Sequence, residues 1–260
     1  RFNVEGMKQA LLSIADRKAR LLLNFPNNPT GYTPSKVEMA AIAAALIELA
    51  ESGMKLMVIS DDAYYGLFFE EETATESLFA YLCNAHSNIF AVKCDAATKE
   101  DMVWGFRIGF ITYGGKDLTE AHFDALDKKT LGIIRSTVSN CDKPGQSLLA
   151  KAMKDGPRYE ADKLAAKTEM EKRYRILKEA LKKHEGNPLL TPYPFNSGYF
   201  MAFKTKGSAE ALRRYLLDKY QVGCINIADV TFRLAYCSVE CDKIAELVDL
   251  VYQAAGEAWN

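Results

Sequence analysis

The stretch from Arg20 to Asp62, RLLLNFPNNPTGYTPSKVEMAAIAAALIELAESGMKLMVISDD, decides the fold. Its apolar runs Arg20 to Phe25 and Lys55 to Ser60 have the length and flanks of buried strands. The intervening Pro26-Asn-Asn-Pro-Thr-Gly31 cannot continue a strand, because it combines two prolines, turn formers and a glycine. Thr33-Pro34 then opens a helix in N-cap and N1 order, with Ser35 and Glu38 as an alternative capping box. The helix body, rich in alanine and leucine, runs to Glu51, and Ser52-Gly53 stops it. A strand, a helix and a strand joined this way predict a parallel pair.

Upstream, Met7, Leu11, Leu12 and Ile14 recur at helical spacing over Val4 to Ala15, with Asn3 as N-cap. Downstream, the pattern predicts a helix around Glu76 to Cys83 and a third strand over Asn88 to Cys94. A fourth apolar run, Phe106 to Tyr113, is stopped by Gly114-Gly115. Asp117 to Lys129 reads as a helix, Ser136 to Gln146 as a loop, and two helices follow, the longer from about Arg158 to His184. After the break at Gly186-Asn187-Pro188 come short strands, Gly198 to Lys204, Cys224 to Ala228 and Thr231 to Ser238, with a helix from Ser208 to Tyr220. A last helix places Ile244, Leu247, Val248, Val251 and Tyr252 on one face, with Ser238 as its cap. The expectation is an α/β chain of two domains: residues 1–150 hold a mostly parallel sheet, and residues 151–260 a small α+β domain with its connecting helix.

Lys+Arg 33 against Asp+Glu 34 leaves a net charge of -1, so no global field draws the chain to nucleic acid or an acidic membrane, and small polar substrates are the expected partners. No apolar run has the length of a membrane span. The six cysteines form no regular framework and no Cys-x-x-Cys, which points to a reducing, cytoplasmic setting, and the three scattered histidines do not supply a metal site. The chain opens on Arg1 and runs straight into a periodic segment, and it reads as a piece of something longer.

In an open parallel sheet, ligands bind beyond the carboxyl ends of the strands. Asn28, Asp61 and Lys99 each lie within a few residues of such an end, which predicts that their loops meet at one site. A lysine amine suits a Schiff base with a carbonyl. A strand-end carboxylate can keep a pyridine nitrogen protonated. An amide and a phenol, from Asn28 and Tyr64, can hold a ring hydroxyl, and Arg107 offers a fork for a phosphate. Together these would bind pyridoxal 5'-phosphate. Each residue also has a plainer reading: Asn28 as a turn residue, Asp61 as a local cap, Tyr64 as core, Arg107 as a salt-bridge partner and Arg233 as a snorkelling strand residue. Tyr65 and Lys93 read as bystanders, and Trp104 and Phe106 as packing.

Taken in order, these residues resemble the class I/II aminotransferases of the fold-type I pyridoxal-phosphate enzymes. Asn27-Asn28-Pro29-Thr30-Gly31 resembles the family's Asn-Pro-Thr-Gly loop, and Asp61-Asp62-Ala63-Tyr64 its Asp-x-x-Tyr element. Lys99 stands eight residues before Arg107 in Gly-Phe-Arg-Ile-Gly, as the Schiff-base lysine stands before the phosphate-binding arginine. Asn196-Ser-Gly-Tyr-Phe200 resembles the entry to the small domain, and Arg233 in Phe-Arg-Leu-Ala-Tyr the arginine that grips the substrate α-carboxylate. The resemblance implies the fold-type I large domain in truncated form plus the small C-terminal domain. It also implies ring contacts from Asn28, Asp61 and Tyr64, and a homodimer in the intact protein.

Where the family carries serines near the lysine, this chain has Ala96 and Thr98, so Thr98 is left to supply the hydroxyl. The family's N-terminal part, with its phosphate loop and stacking aromatic ring, has no counterpart here. The expected activity is amino transfer between an amino acid and a 2-oxo acid. The alternatives are a β-eliminating lyase or synthase using the same lysine, and a silent fragment serving as a folded or dimerising module.

Overall fold

The computed structural model describes residues 1–259, which divide into two compact units. The first comprises residues 1–25, 34–66 and 72–160, and the second comprises 26–33, 67–71 and 161–259 of the described residues. The two short segments 26–33 and 67–71 thus belong with the C-terminal unit, although in sequence they interrupt the first. The division falls after Glu160.

In the first unit, helix α1 (Val4–Leu12) starts where the Asn3 side chain accepts from the Gly6 N–H. Strand β1 (Lys18–Asn24) is followed by helix α2 (Lys36–Glu51) and strand β2 (Lys55–Asp62), and β1 and β2 are parallel in register. The capping box at Ser35 and Glu38 starts α2, each side chain bonding the other's backbone N–H, so Thr33 and Pro34 lie one step outside the helix. Replacing Ser35 by alanine is expected to cost about 1 kcal/mol in urea unfolding, with Ser35→Asp recovering most of it. Helix α2 buries Met39, Ile42, Ala43, Leu46, Leu49 and Ala50 at the spacing of one helical face.

Helix α3 (Leu78–Leu82) leads to strand β3 (Ile89–Ala96), parallel to β2. The short helix α4 (Ala97–Glu100) follows, then strand β4 (Gly109–Gly114), antiparallel to β3, giving the order β1-β2-β3-β4. The apolar run from Phe106 joins the sheet only at Gly109, because the left-handed φ of +53° at Arg107 turns the chain out of the extended conformation. Helix α5 (Glu120–Thr137) runs past its expected end, and α6 (Lys143–Lys154) begins inside the segment read as loop. Asp142 caps α6 by accepting from Gly145, a signal hidden in a polar stretch. Helix α7 spans Gly156–Lys182.

The second unit is built on an antiparallel sheet of β5 (Leu190–Pro192), β6 (Met201–Thr205), β7 (Ile225–Ile227) and β8 (Thr231–Leu234), in the order β5-β6-β8-β7. Helices α8 (Ala209–Tyr220) and α9 (Ile244–Ala258) pack together. Phe203, Phe232, Leu212, Leu216, Val248 and Val251 form a fully buried core, and Tyr252 meets Phe203 edge-on. Ser238 does not cap the last helix. Two short 3-10 turns, Tyr236–Ser238 and Cys241–Lys243, intervene, and α9 starts at Ile244 without a side-chain cap. Among the described residues no helix is long and apolar enough to cross a membrane.

Candidate active site

The first unit places five of the expected residues, Asp61, Tyr64, Thr98, Lys99 and Arg107, at or after the carboxyl ends of β2 and β3. Asn24, Asp61 and Cys94 stand side by side in register there. The Asp61 carbonyl accepts from the Phe25 N–H and the Asn24 amide at 3.2 and 3.0 Å, and its carboxylate accepts from the Ala63 N–H at 3.2 Å. The chain then turns, with the Tyr65 N–H returning to the Asp62 carbonyl, and leaves Tyr64 largely buried beside the sheet end.

Lys99 lies in α4, where the Asp101 N–H closes the turn on the Ala97 carbonyl at 3.1 Å. Ala97 and Ile108 are buried with Leu149, and Val103, Phe106 and Tyr159 pack against them, which pins both ends of the segment. Buried Thr98 donates to the Ile108 carbonyl at 3.5 Å, a contact that closes the loop on itself. Tyr159 donates to the Asp101 carboxylate. With its apolar neighbours turned in, the segment presents Lys99 with its ammonium 5.8 Å from the centre of the Tyr64 ring. Arg107 is exposed, with one guanidinium nitrogen 3.3 Å from the Trp104 carbonyl. Cys94 stays a thiol, since burial and the carboxylates of Asp61, Asp95 and Asp62 raise its pKa.

The second unit brings Asn28 and Arg233 together. Asn27 and Thr30 build the turn: the Asn27 side chain accepts from the Thr30 N–H and hydroxyl at 3.2 and 2.7 Å, and the Gly31 N–H bonds the Asn27 carbonyl. Asn28 is left exposed, across a cis bond to Pro29, and its side-chain oxygen accepts from Arg233 at 2.9 Å. Arg233 occupies the middle of the sheet, opposite Ala202 of β6 and Ile225 of β7, with its guanidinium 4.2 Å from the centre of the Phe200 ring. Its Nε is buried and, among the described residues, has no hydrogen-bond acceptor. A planar cation fixed by stacking with one donor unused is suited to a carboxylate.

A protein-family model described as aminotransferase class I and II matches residues 1–251. The chain belongs to the class I and II aminotransferases. None of the curated proteins matches it. Among solved structures it is similar to an aminotransferase from Anaerococcus prevotii, with a TM-score of 0.82 and 24% identity, covering 97% of this chain and 61% of that one. It is also similar to aspartate aminotransferase from Thermus thermophilus with maleate, with a TM-score of 0.71 and 19% identity over 99% and 60% of the two chains. A third similar structure is YbdL from Escherichia coli, titled for a methionine aminotransferase function, with a TM-score of 0.70 and 18% identity over 97% and 62%. These likenesses carry the fold expected from the sequence, and the aminotransferase chain described here spans about three fifths of the length of those structures.

An aminotransferase of this family requires pyridoxal phosphate, and the donor set can be judged against that group. The first unit offers an amine, a phenol, a carboxylate and a guanidinium, which match an aldehyde, a ring hydroxyl, a ring nitrogen and a phosphate in turn. The orphaned Nε of Arg233 offers a carboxylate site. The donor types fit, with the hydroxyl of Thr98 already engaged by Ile108. Two features were not legible as site features in the sequence: the Asn28–Arg233 contact, which joins residues 205 apart, and the ammonium of Lys93 among the carboxylates of Asp62 and Asp95. The i,i+2 spacing of Lys93 and Asp95 on one strand face was the available signal for the second.

Proposed function

We propose that this chain carries the lysine half of a pyridoxal-phosphate-dependent transamination between an amino acid and a 2-oxo acid. The observation that carries the reading is the Lys99 ammonium, 5.8 Å from the centre of the Tyr64 ring, on a turn anchored by buried Ala97 and Thr98. Lys99 is the attachment amine for the cofactor aldehyde. The same amine would hold and move the proton of the substrate α-carbon. Asp61 holds the proton on the ring nitrogen, and Tyr64 and Asn28 hold the ring oxygen. Arg107 takes the phosphate, and Thr98 braces the Lys99 turn beside it. Arg233 orients the substrate through its α-carboxylate. Bound pyridoxal phosphate supplies the electron-poor ring that accepts the electron pair released as the α-proton leaves.

Borohydride reduction in the presence of pyridoxal phosphate, followed by peptide mapping, tests the assignment. The phosphopyridoxyl group is expected on the peptide containing Lys99 and absent from Lys99→Ala, and its appearance on another lysine sinks the assignment. Amino transfer to 2-oxoglutarate supports the transaminase, whereas pyruvate and ammonia from cystathionine support a lyase. If this chain takes no label while a longer form of the protein does, it serves as a folded or dimerising module.

A further inference from the structure

Asp61 and Asp62 point to opposite faces of the sheet, as successive strand residues must. On the face away from Asp61, Asp62 pairs in register with Asp95, and Ser60 with Lys93. The Lys93 ammonium is 2.7 Å from Asp95 Oδ1 and 3.8 Å from Asp62 Oδ2, and 5.2 Å from the centre of the Tyr65 ring. The Lys93 cation thus joins the carboxyl ends of β2 and β3, immediately behind Asp61 and six residues before Lys99. Lys93 and Asp95 face Asp62 from β3, while Cys94 and Asp61 lie on the opposite face of the sheet. Tyr65 lies in the turn that follows, and the Ser77 hydroxyl reaches the Asp62 carboxylate.

We propose that Lys93 is a positioning residue, whose bridge between Asp95 and Asp62 holds the ends of β2 and β3 at the spacing that Asp61 and Lys99 need. The inference rests on the proposed roles of Asp61 and Lys99. The bridge is strongly asymmetric. Burial works against the Lys93 charge, but the hydrogen bond and charge of Asp95, with the charge of Asp62, raise its pKa above the ordinary lysine value. Asp62 Oδ2 has no hydrogen bond, so it meets the cation only at long range. Cutting the bridge removes a cation that links these two strand ends and leaves two carboxylates facing each other in register, which repel.

The test compares Lys93→Met with Lys93→Arg. Amide hydrogen exchange is expected to accelerate about tenfold at Asp61 to Tyr64 and Ala97 to Asp101 in Lys93→Met, while Lys18 to Leu21 at the far end of the sheet stays unchanged, and Lys93→Arg should return exchange to near the wild-type rate. The carboxyl titration of Asp62, followed by carbon NMR, should move upward in the Met variant and not in the Arg variant. Borohydride labelling of Lys99 should fall about tenfold with Met and recover with Arg.

Unchanged exchange at both segments, or equal acceleration throughout the sheet, overturns the proposal. Wild-type chain that takes no label at Lys99 counts against the cofactor reading instead, and the exchange comparison still decides the bridge. Should Lys93→Met not fold, Asp95→Asn makes the same comparison with the ammonium retained. Acceleration of the same two segments supports the bridge, and none refutes it.

Discussion

Replacing Gly31 by alanine is expected to destabilise the second unit by about 4 kcal/mol, which places it among the most damaging single substitutions. Gly31 has a φ of +78°, and a Cβ built there would stand 2.2 Å from the Phe200 carbonyl oxygen and 2.8 Å from that of Ser197. Both obstacles are backbone, so no side-chain rotation relieves them. The left-handed conformation alone costs an alanine about 1–2 kcal/mol. Moving the loop away also breaks the hydrogen bonds that the Asn196 and Ser197 N–H groups donate to the Gly31 carbonyl, both at 3.0 Å. Each donor left unpaired in a buried site adds about 1–3 kcal/mol. Gly53→Ala separates the two causes, because Gly53 has a φ of +93° with nothing within 4 Å of its Cβ position. Urea unfolding should show the conformational cost alone at Gly53 and a severalfold larger loss at Gly31. Equal losses would mean that the contact with residues 197–200 does not constrain the loop.

This glycine also shows what the sequence could and could not convey. The turn chemistry of Asn27 to Gly31 was readable locally, because two prolines, two asparagines and a glycine permit little else. The partner of that turn was not readable. Thr33 bonds Asn196 and Ser197, residues more than 160 positions away, and no local pattern encodes that pairing. The parallel strands were legible because each carries a continuous apolar run and a well-capped helix separates the first two, but the expectation of a buried first strand is corrected: β1 lies at the edge of the sheet, buries only Ala19 and leaves Leu22 exposed. Their ends were less so: β2 continues through Asp61 and Asp62, since the sheet there is stitched by hydrogen bonds from Asn24 and Phe25 and by the Lys93 cation, not by apolar side chains.

The site residues show the same division. Lys99 and Arg107 drew attention by their spacing and by a resemblance spanning the chain. What fixes them is packing that the sequence did not announce: Ala97 and Ile108 buried with Leu149, and Asp101 held by Tyr159 from α7. Thr98, expected to offer its hydroxyl to the cofactor, also donates to the Ile108 carbonyl at 3.5 Å, a contact that no local pattern encodes. Asp62 passed as filler between Asp61 and Tyr64. Alternation places it on the other face of the sheet, where burial raises the pKa of its carboxyl to about 6.

Asp62→Asn is accordingly expected to remove a pH dependence from the stability of the first unit. Burial, acting against the Ser77 hydrogen bond and the Lys93 charge, raises the pKa of Asp62 from 3.8 to about 6. The unfolded chain releases this proton near pH 4, whereas the folded chain keeps it until about pH 6. Folded protein therefore binds the extra proton between those values, and stability from this group is complete below the unfolded pKa and lost as pH rises through the folded one. A shift of this size corresponds to about 3 kcal/mol lost by pH 8. Asparagine carries no charge at any pH, so the variant lacks that loss, whatever constant cost its amide brings. The difference between variant and wild-type unfolding free energies should thus tilt toward the variant by about 2–3 kcal/mol from pH 4 to pH 8, with the midpoint of the change near pH 5, between the unfolded and folded pKa values. Titrating groups that do not interact with Asp62 cancel in that difference. Removing the cation with Lys93→Met should move the window to higher pH, because Asp62 then loses the charge that favours its ionised form. A difference that stays flat from pH 4 to pH 8 would show that Asp62 is solvated in the folded chain, and that the orphaned oxygen behind Asp61 is in contact with water.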